Sequence, residues 1–208
     1  MTRAGRLLAG AAALAALPAC DLIAVTALNL VETTAFRAEG PLLFMSGEIN
    51  RKTAEQFAAV IAANPQVTTI VQCEVPGSLD DDTMIALSYE VRSRGLNTYL
   101  TADSLIASGG VDFFLAGVER RMEQGARLGV HSWSDGFRDA VDFPRDAPEH
   151  EANRAYIEAM LGADDFYWFT IEAAPAAGLH WMTPGEIAGF GLLTEPVITG
   201  PDRITCPL

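Results

Sequence analysis

Between residues 42 and 133 the sequence alternates two hydrophobic patterns, and this alternation limits the fold more than any other feature. The runs "PLLFMSGEI" (41–49), "VTTIVQC" (67–73), "LNTYL" (96–100) and "ARLGVHSW" (126–133) read as strands. "VTTIVQC" has the unbroken β-branched character of a strand buried on both faces of a parallel sheet. Between these runs lie segments with helical punctuation. "TAEQFAAVIAAN" (53–64) starts on a capping-box pattern, Thr53 with Gln56, and stops at Asn64-Pro65. "DDDTMIALSYEVRSRG" (80–95) has aspartates in its first turn, arginines in its last and Gly95 to end it, and it places Met84, Leu87, Ser88 and Val91 on one face. A third helix is expected over "TADSLIASGGVDFFLAG" (101–117). Strands joined by helices of this length imply right-handed βαβ crossovers and a layered α/β domain.

Beyond residue 133 the pattern changes. An acidic loop, "SDGFRDAVDFPRDAPEH" (134–150), leads into helical sequence from about Pro148 to Ala174. A second capping box, Thr183 with Glu186 and with Pro184 at the first helical position, opens a short helix that ends at "GFGL". "TEPVITGPDRITCPL" (194–208) reads as a last strand and an irregular tail. The chain therefore divides into residues 1–19 as an export segment, 20–40 as a tether, 41–200 as a single domain and 201–208 as a C-terminal tail.

The first segment stands apart from the fold. "MTRAGRLLAGAAALAALPAC" has a basic start, a short apolar stretch and small residues leading to Cys20. Its ending, "LPAC", resembles the lipobox of bacterial lipoproteins, which implies an acylated Cys20 holding the protein to a lipid bilayer on the periplasmic side. Asp21 resembles an inner-membrane retention signal. An ordinary secretory peptide cut after Ala19, or a retained anchor, is the alternative. The 208 residues carry a net charge of −13, and removing residues 1–19, which hold two arginines and no acid, makes the remainder more negative still. Such a surface repels nucleic acid and anionic lipid, so no nucleic-acid role is expected. Cys73 and Cys206 are left to pair in an oxidising compartment, or to stay buried as two thiols.

Three short elements carry candidate chemistry. Ser108 precedes Gly109 and Gly110, either as a helix cap or as a nucleophile on a strand-to-helix turn whose glycines leave backbone N–H groups free. "EVPGS" (74–78) follows a buried strand, either as a plain turn or as a place where Gly77 presents its N–H. His131 ends a strand, either as a general base or as a structural partner of Trp133. Asp112 lies four residues after Ser108, on the same face if the segment is helical; it would be an exposed or capping carboxylate, a substitute acid, or the partner of an arginine.

The order of "VPGS", "IASGG", "GARLGVH" and "TPGEIAGFGL" resembles the Clp protease proteolytic subunit and its relatives in the ClpP/crotonase superfamily, across about residues 42–195. The resemblance implies a repeated ββα layered fold. It implies Ser108 as nucleophile, His131 as general base, and the N–H groups of Gly77 and Gly109 as an oxyanion hole. Ser78 stands where the family has a second glycine. The family supplies an acid ahead of "HWMTPGEIAGFGL"; here Glu172 is the nearest candidate, with Asp164, Asp165 and Asp135 as others. The implied protein is a membrane-tethered periplasmic serine hydrolase, an ATP-independent peptidase that acts on a peptide or protein substrate with no cofactor and no metal. The alternative is a catalytically degenerate lipoprotein of the same fold that binds or scaffolds. The family's habit of assembly leaves monomer and homo-oligomer both open.

Overall fold

The computed structural model of the protein describes residues 27–200 and 203–207. Cys20, Asp21 and the export segment lie outside the described residues. The buried run "VTTIVQC" forms β3 (Thr69–Val75), central in a seven-stranded mixed sheet. On one side of it lie β2 (Leu42–Gly47), parallel, and then β1 (Thr34–Glu39), antiparallel. On the other side β4 (Asn97–Ala107) runs parallel to β3. The far edge of β4 is shared by two short parallel strands, β5 (Arg120–Met122) beside its first half and β6 (Arg127–Val130) beside its second. The two-residue β7 (His180–Trp181) closes that side antiparallel to β6.

Alternation along the strands separates two cores. Leu43, Met45, Ile70 and Leu100 face the helical layer, where α1 (Thr53–Ala63) adds Phe57 and Ile61, and α2 (Asp81–Ser93) adds Met84, Leu87 and Val91. Phe44, Val71 and Tyr99 face the opposite way and are covered by Ile198, Ile204 and Cys206 of the C-terminal segment. Cys73 and Cys206 form a disulfide that fastens this segment to β3. The helical layer is completed by α3 (Gly109–Phe114), α4 (Glu151–Leu161), α5 (Asp165–Ala173) and α6 (Pro184–Gly189). The α6 capping box forms as its sequence predicts, Thr183 Oγ1 accepting from Glu186 N and the Glu186 carboxylate from Thr183 N.

The structure departs from the sequence expectations at several places. The tether assigned to residues 20–40 includes β1, because Thr34–Glu39 pair along the whole of β2. At α1 Thr53 does not cap: it is buried inside the first turn and accepts from Asn50 N, while Gln56 turns its amide to the Thr34 carbonyl. The helix expected over 101–117 shrinks to α3, and residues 101–107 extend β4 instead. Pairing with β3 jumps from Gln72–Leu100 to Glu74–Leu105, so β4 loops out between them. Ser104 Oγ accepts from Thr101 N at 2.8 Å and donates to the Gln72 carbonyl at 2.5 Å, satisfying the looped-out backbone with the polar residues that looked like a helix start. The helix expected from Pro148 to Ala174 is divided by Gly162, which ends α4 in the left-handed conformation. Among the described residues after 193 no last strand forms; Ile198 makes one isolated bridge to Glu123.

Candidate active site

The β4–α3 junction holds the one described non-glycine residue with positive φ, Ser108, at φ 51° and ψ −131°. A β-carbon there is strained by about 1–3 kcal/mol, and such strain persists only where the surroundings over-determine it. They do so here through the short α3 helix, whose backbone carbonyls are taken up one after another. Gln72 donates to Gly110 O, Tyr156 to Asp112 O, Thr98 to Phe114 O, and Arg92 to both Leu115 O and Ala116 O. The Ser108 side chain makes no cap hydrogen bond. The capping explanation of this serine therefore fails, and what remains is a hydroxyl held out on a sharp strand-to-helix turn.

The two glycines after it are steric requirements. A β-carbon at Gly109 would collide with the Ser78 side chain, and one at Gly110 with the Val75 carbonyl, because the β3–α2 loop crosses directly over the start of α3. Gly77, in that loop, faces the serine: a β-carbon added there would stand 3.3 Å from Ser108 Cβ and 3.8 Å from its Oγ. The N–H groups of Gly77 and Gly109 donate to no acceptor among the described residues. Ser78, in place of a second glycine, turns its hydroxyl onto the Asp81 carboxylate.

His131, half-buried just beyond β6, lines the same cavity as Ser108. Its Nδ1 lies 2.7 Å from the Ser132 carbonyl oxygen. A carbonyl only accepts, so Nδ1 carries a proton, and in the neutral ring Nε2 then has the free lone pair. Among the described residues no hydrogen bond joins Ser108 Oγ to the ring. Glu172 is not the third member: it is exposed and paired with Arg145 at 2.7 Å. Asp164 is held by Arg154 and Trp168, which lower its pKa, and Asp135 accepts from the N–H groups of Phe137 and Arg138 within its own loop. Asp165 begins α5 and does not line the cavity. A backbone carbonyl thus occupies the place of the orienting acid.

Ser108 and His131 lie where two hollows meet. Outward is an open groove of about 500 Å³ edged by Asp80, Asp81 and Asp82 at the α2 start. Inward is a half-enclosed cavity of about 40 Å³ that Asp112 lines together with Trp133, Asn153, Tyr167 and Thr170. The Asp112 carboxyl has no hydrogen-bond partner among the described residues, and its pKa is pushed up to about 8 by burial first and by the Asp81 charge second. It is neither an exposed carboxylate nor an arginine's partner. The Tyr167 hydroxyl lies 3.0 Å from Trp133 Nε1, which donates to it, and 2.6 Å from Nδ1 of the buried His150. Sequence reasoning missed Asn153, Tyr167 and Thr170 as site residues. The signal available was the i,i+3 spacing of Tyr167 and Thr170, which puts both on one face of α5.

No protein-family model matches the sequence, and no curated protein matches it. Among solved structures the chain is similar to PA4980 of Pseudomonas aeruginosa. The match has 14% identity and a TM-score of 0.51, and it covers 81% of this chain and 78% of that one. At this identity the likeness concerns fold alone, and it agrees with a single mixed α/β domain.

Proposed function

We propose that this protein is a serine hydrolase of the ClpP/crotonase superfamily, acting as an ATP-independent peptidase. The observation that carries the reading is the strained Ser108, set against two unpaired backbone N–H groups and sharing a cavity with a histidine whose Nε2 is bare. In the proposed cycle Ser108 Oγ attacks the carbonyl carbon of a peptide while its proton passes to His131 Nε2. The oxyanion is received by the N–H groups of Gly77 and Gly109. The C–N bond breaks as His131 returns the proton to the leaving amine. Water, deprotonated by the same nitrogen, then frees the acyl group.

The Ser132 carbonyl keeps His131 in the working tautomer but adds no negative charge to stabilise the imidazolium. In a serine protease, neutralising the triad aspartate costs about 10⁴ in turnover, much of it through the wrong tautomer. Slow but measurable hydrolysis is therefore expected. The lipobox-like "LPAC" supports attachment through Cys20 on the periplasmic face of a membrane, where no ATP-driven partner would feed the site. No described helix is long and apolar enough to cross a membrane.

A fluorophosphonate probe tests the reading on the full-length chain. Covalent labelling, seen by intact mass and lost in both Ser108→Ala and His131→Ala, is the expected result. A folded chain that takes up no label would overturn it and favour the binding-protein alternative, to which the missing acid already lends support.

A further inference from the structure

The cavity of about 40 Å³ behind Ser108 has space for about three waters, and it opens beside the nucleophile rather than far from it. Its lining is chemically one-sided. Asp112 and Asp81 are its carboxylic acids, Trp133 and Tyr167 its aromatic rings, and Asn153 and Thr170 bring polar side chains; none of the lining residues is lysine or arginine. A carboxyl that accepts no hydrogen bond, set beside two aromatic side chains, is without a counter-charge. Ammonium groups are bound by this combination of acid, π-face and amide or hydroxyl oxygen.

We infer that this cavity is a specificity subsite for a substrate side chain ending in an ammonium group, with Asp112 as its counter-ion. The inference rests on the hydrolase reading for the word substrate, since the side chain concerned belongs to the residue whose carbonyl Ser108 attacks. The arriving ammonium displaces the cavity waters and sits against Asp112. Its positive end lies beside the Trp133 and Tyr167 side chains that line the cavity.

The groups facing Asp112 decide when it is charged. They are Asp81 from α2, His131 beyond β6, and Tyr167 from α5; from α4 the Tyr156 hydroxyl donates to its backbone carbonyl at 2.7 Å. None of these supplies a fixed positive charge. With the carboxyl pushed up to about 8, the empty subsite is largely neutral at pH 7 and ionises as a cation enters. Aliphatic side chains without an ammonium would cover the half-buried acid and leave it unpaired, so the pocket also selects against them. In the groove outside, Asp82 joins Asp81, which lines both hollows, while Asp80 is already paired with Arg51 at 2.7 Å. A groove of that sign raises the local concentration of cationic chains.

The test separates binding from catalysis. Calorimetric titration of the full-length chain at high pH compares N-acetyl-lysinamide with N-acetyl-norleucinamide, which keeps the four-carbon stem but lacks the terminal ammonium. The lysine compound is expected to bind at least about ten-fold tighter, and Asp112→Asn is expected to bring the two within about two-fold of each other. Equal or weaker binding of the lysine compound, its failure to bind at all, or a preference that survives Asp112→Asn would each overturn the subsite. Lysine and norleucine aryl esters then read the same preference in turnover. If fluorophosphonate fails to label Ser108 while the titration shows the preference, the hydrolase reading falls and the cation site stands. If Ser108 is labelled and norleucine is preferred, the subsite falls alone.

Discussion

The protein withdraws two carboxylic acids from bulk water in opposite ways, Glu123 fully and with donors, Asp112 half-buried and without any. Glu123, after β5, is fully buried, and its oxygens accept from the Tyr99 hydroxyl at 2.8 Å, from Ala102 N at 2.9 Å and from Ile204 N at 2.9 Å. Those three bonds tie the looped-out part of β4, the second core and the C-terminal segment to one side chain. Asp112, in α3, accepts none and faces a cavity beside a strained serine. One acid has its desolvation offset by donors; the other does not. Burial without partners costs stability, and a fold retains it more readily where the group meets something absent from the protein itself.

The largest effect should come from the satisfied acid. Glu123→Ala leaves a hydroxyl and two N–H groups without their acceptor and opens space beneath the disulfide-held segment. A loss of about 4 kcal/mol is expected in urea unfolding. A loss under about 1 kcal/mol would show that water replaces the carboxylate without penalty, and would break the contrast from the structural side.

Asp112 should respond with the opposite sign, and with a pH dependence. Its pKa rises from 3.8 to about 8 on folding. Below the lower value both states are protonated and the group contributes nothing. Between the two values the unfolded chain gives up the proton while the folded chain keeps it, so stability falls as pH rises and levels off above about 8. Asp112→Asn removes this loss. A gain of about 2 kcal/mol is expected at pH 8, below the roughly 5 kcal/mol that the whole shift would give because the half-buried side chain keeps some contact with solvent, and it should shrink towards zero near pH 4. Equal stability of the two chains at pH 8 would mean that the carboxyl is solvated, and would sharpen the comparison by removing Asp112 from it.

What the sequence revealed follows the same division. The α/β alternation, the buried face of α2 and the α6 cap were legible because each depends on neighbours within a few residues. The looped-out part of β4 was not: Thr101, Asp103 and Ser104 are helix-cap residues by type, and only contact with Gln72, 32 residues from Ser104, turns them to a strand. At the site, Ser108, His131, Gly77 and Gly109 were named from order along the chain, and the fold brings all four together. Glu172 failed because its distance from "HWMTPGEIAGFGL" says nothing about which way α5 faces; Tyr167 and Thr170 point inward from that helix while Glu172 points out to Arg145. Gly109 and Gly110, read from sequence as leaving backbone N–H groups free, are also needed to admit Ser78 and Val75.

The smallest effect bears on Ser108 itself. Ordinarily glycine destabilises a position relative to alanine, because the unfolded chain gains freedom. At φ 51° and ψ −131° the β-carbon is the source of strain, so the order should invert. Ser108→Gly is expected to be more stable than Ser108→Ala by about 1 kcal/mol in the same urea experiment, while neither variant takes up a fluorophosphonate label. The ordinary order, alanine above glycine, would mean that the turn relaxes once the hydroxyl is removed. The strain would then belong to the serine's own contacts and not to the backbone that α3 and the β3–α2 loop impose. If the inversion is found, the hydroxyl is held in place at a cost in stability, as Asp112 is.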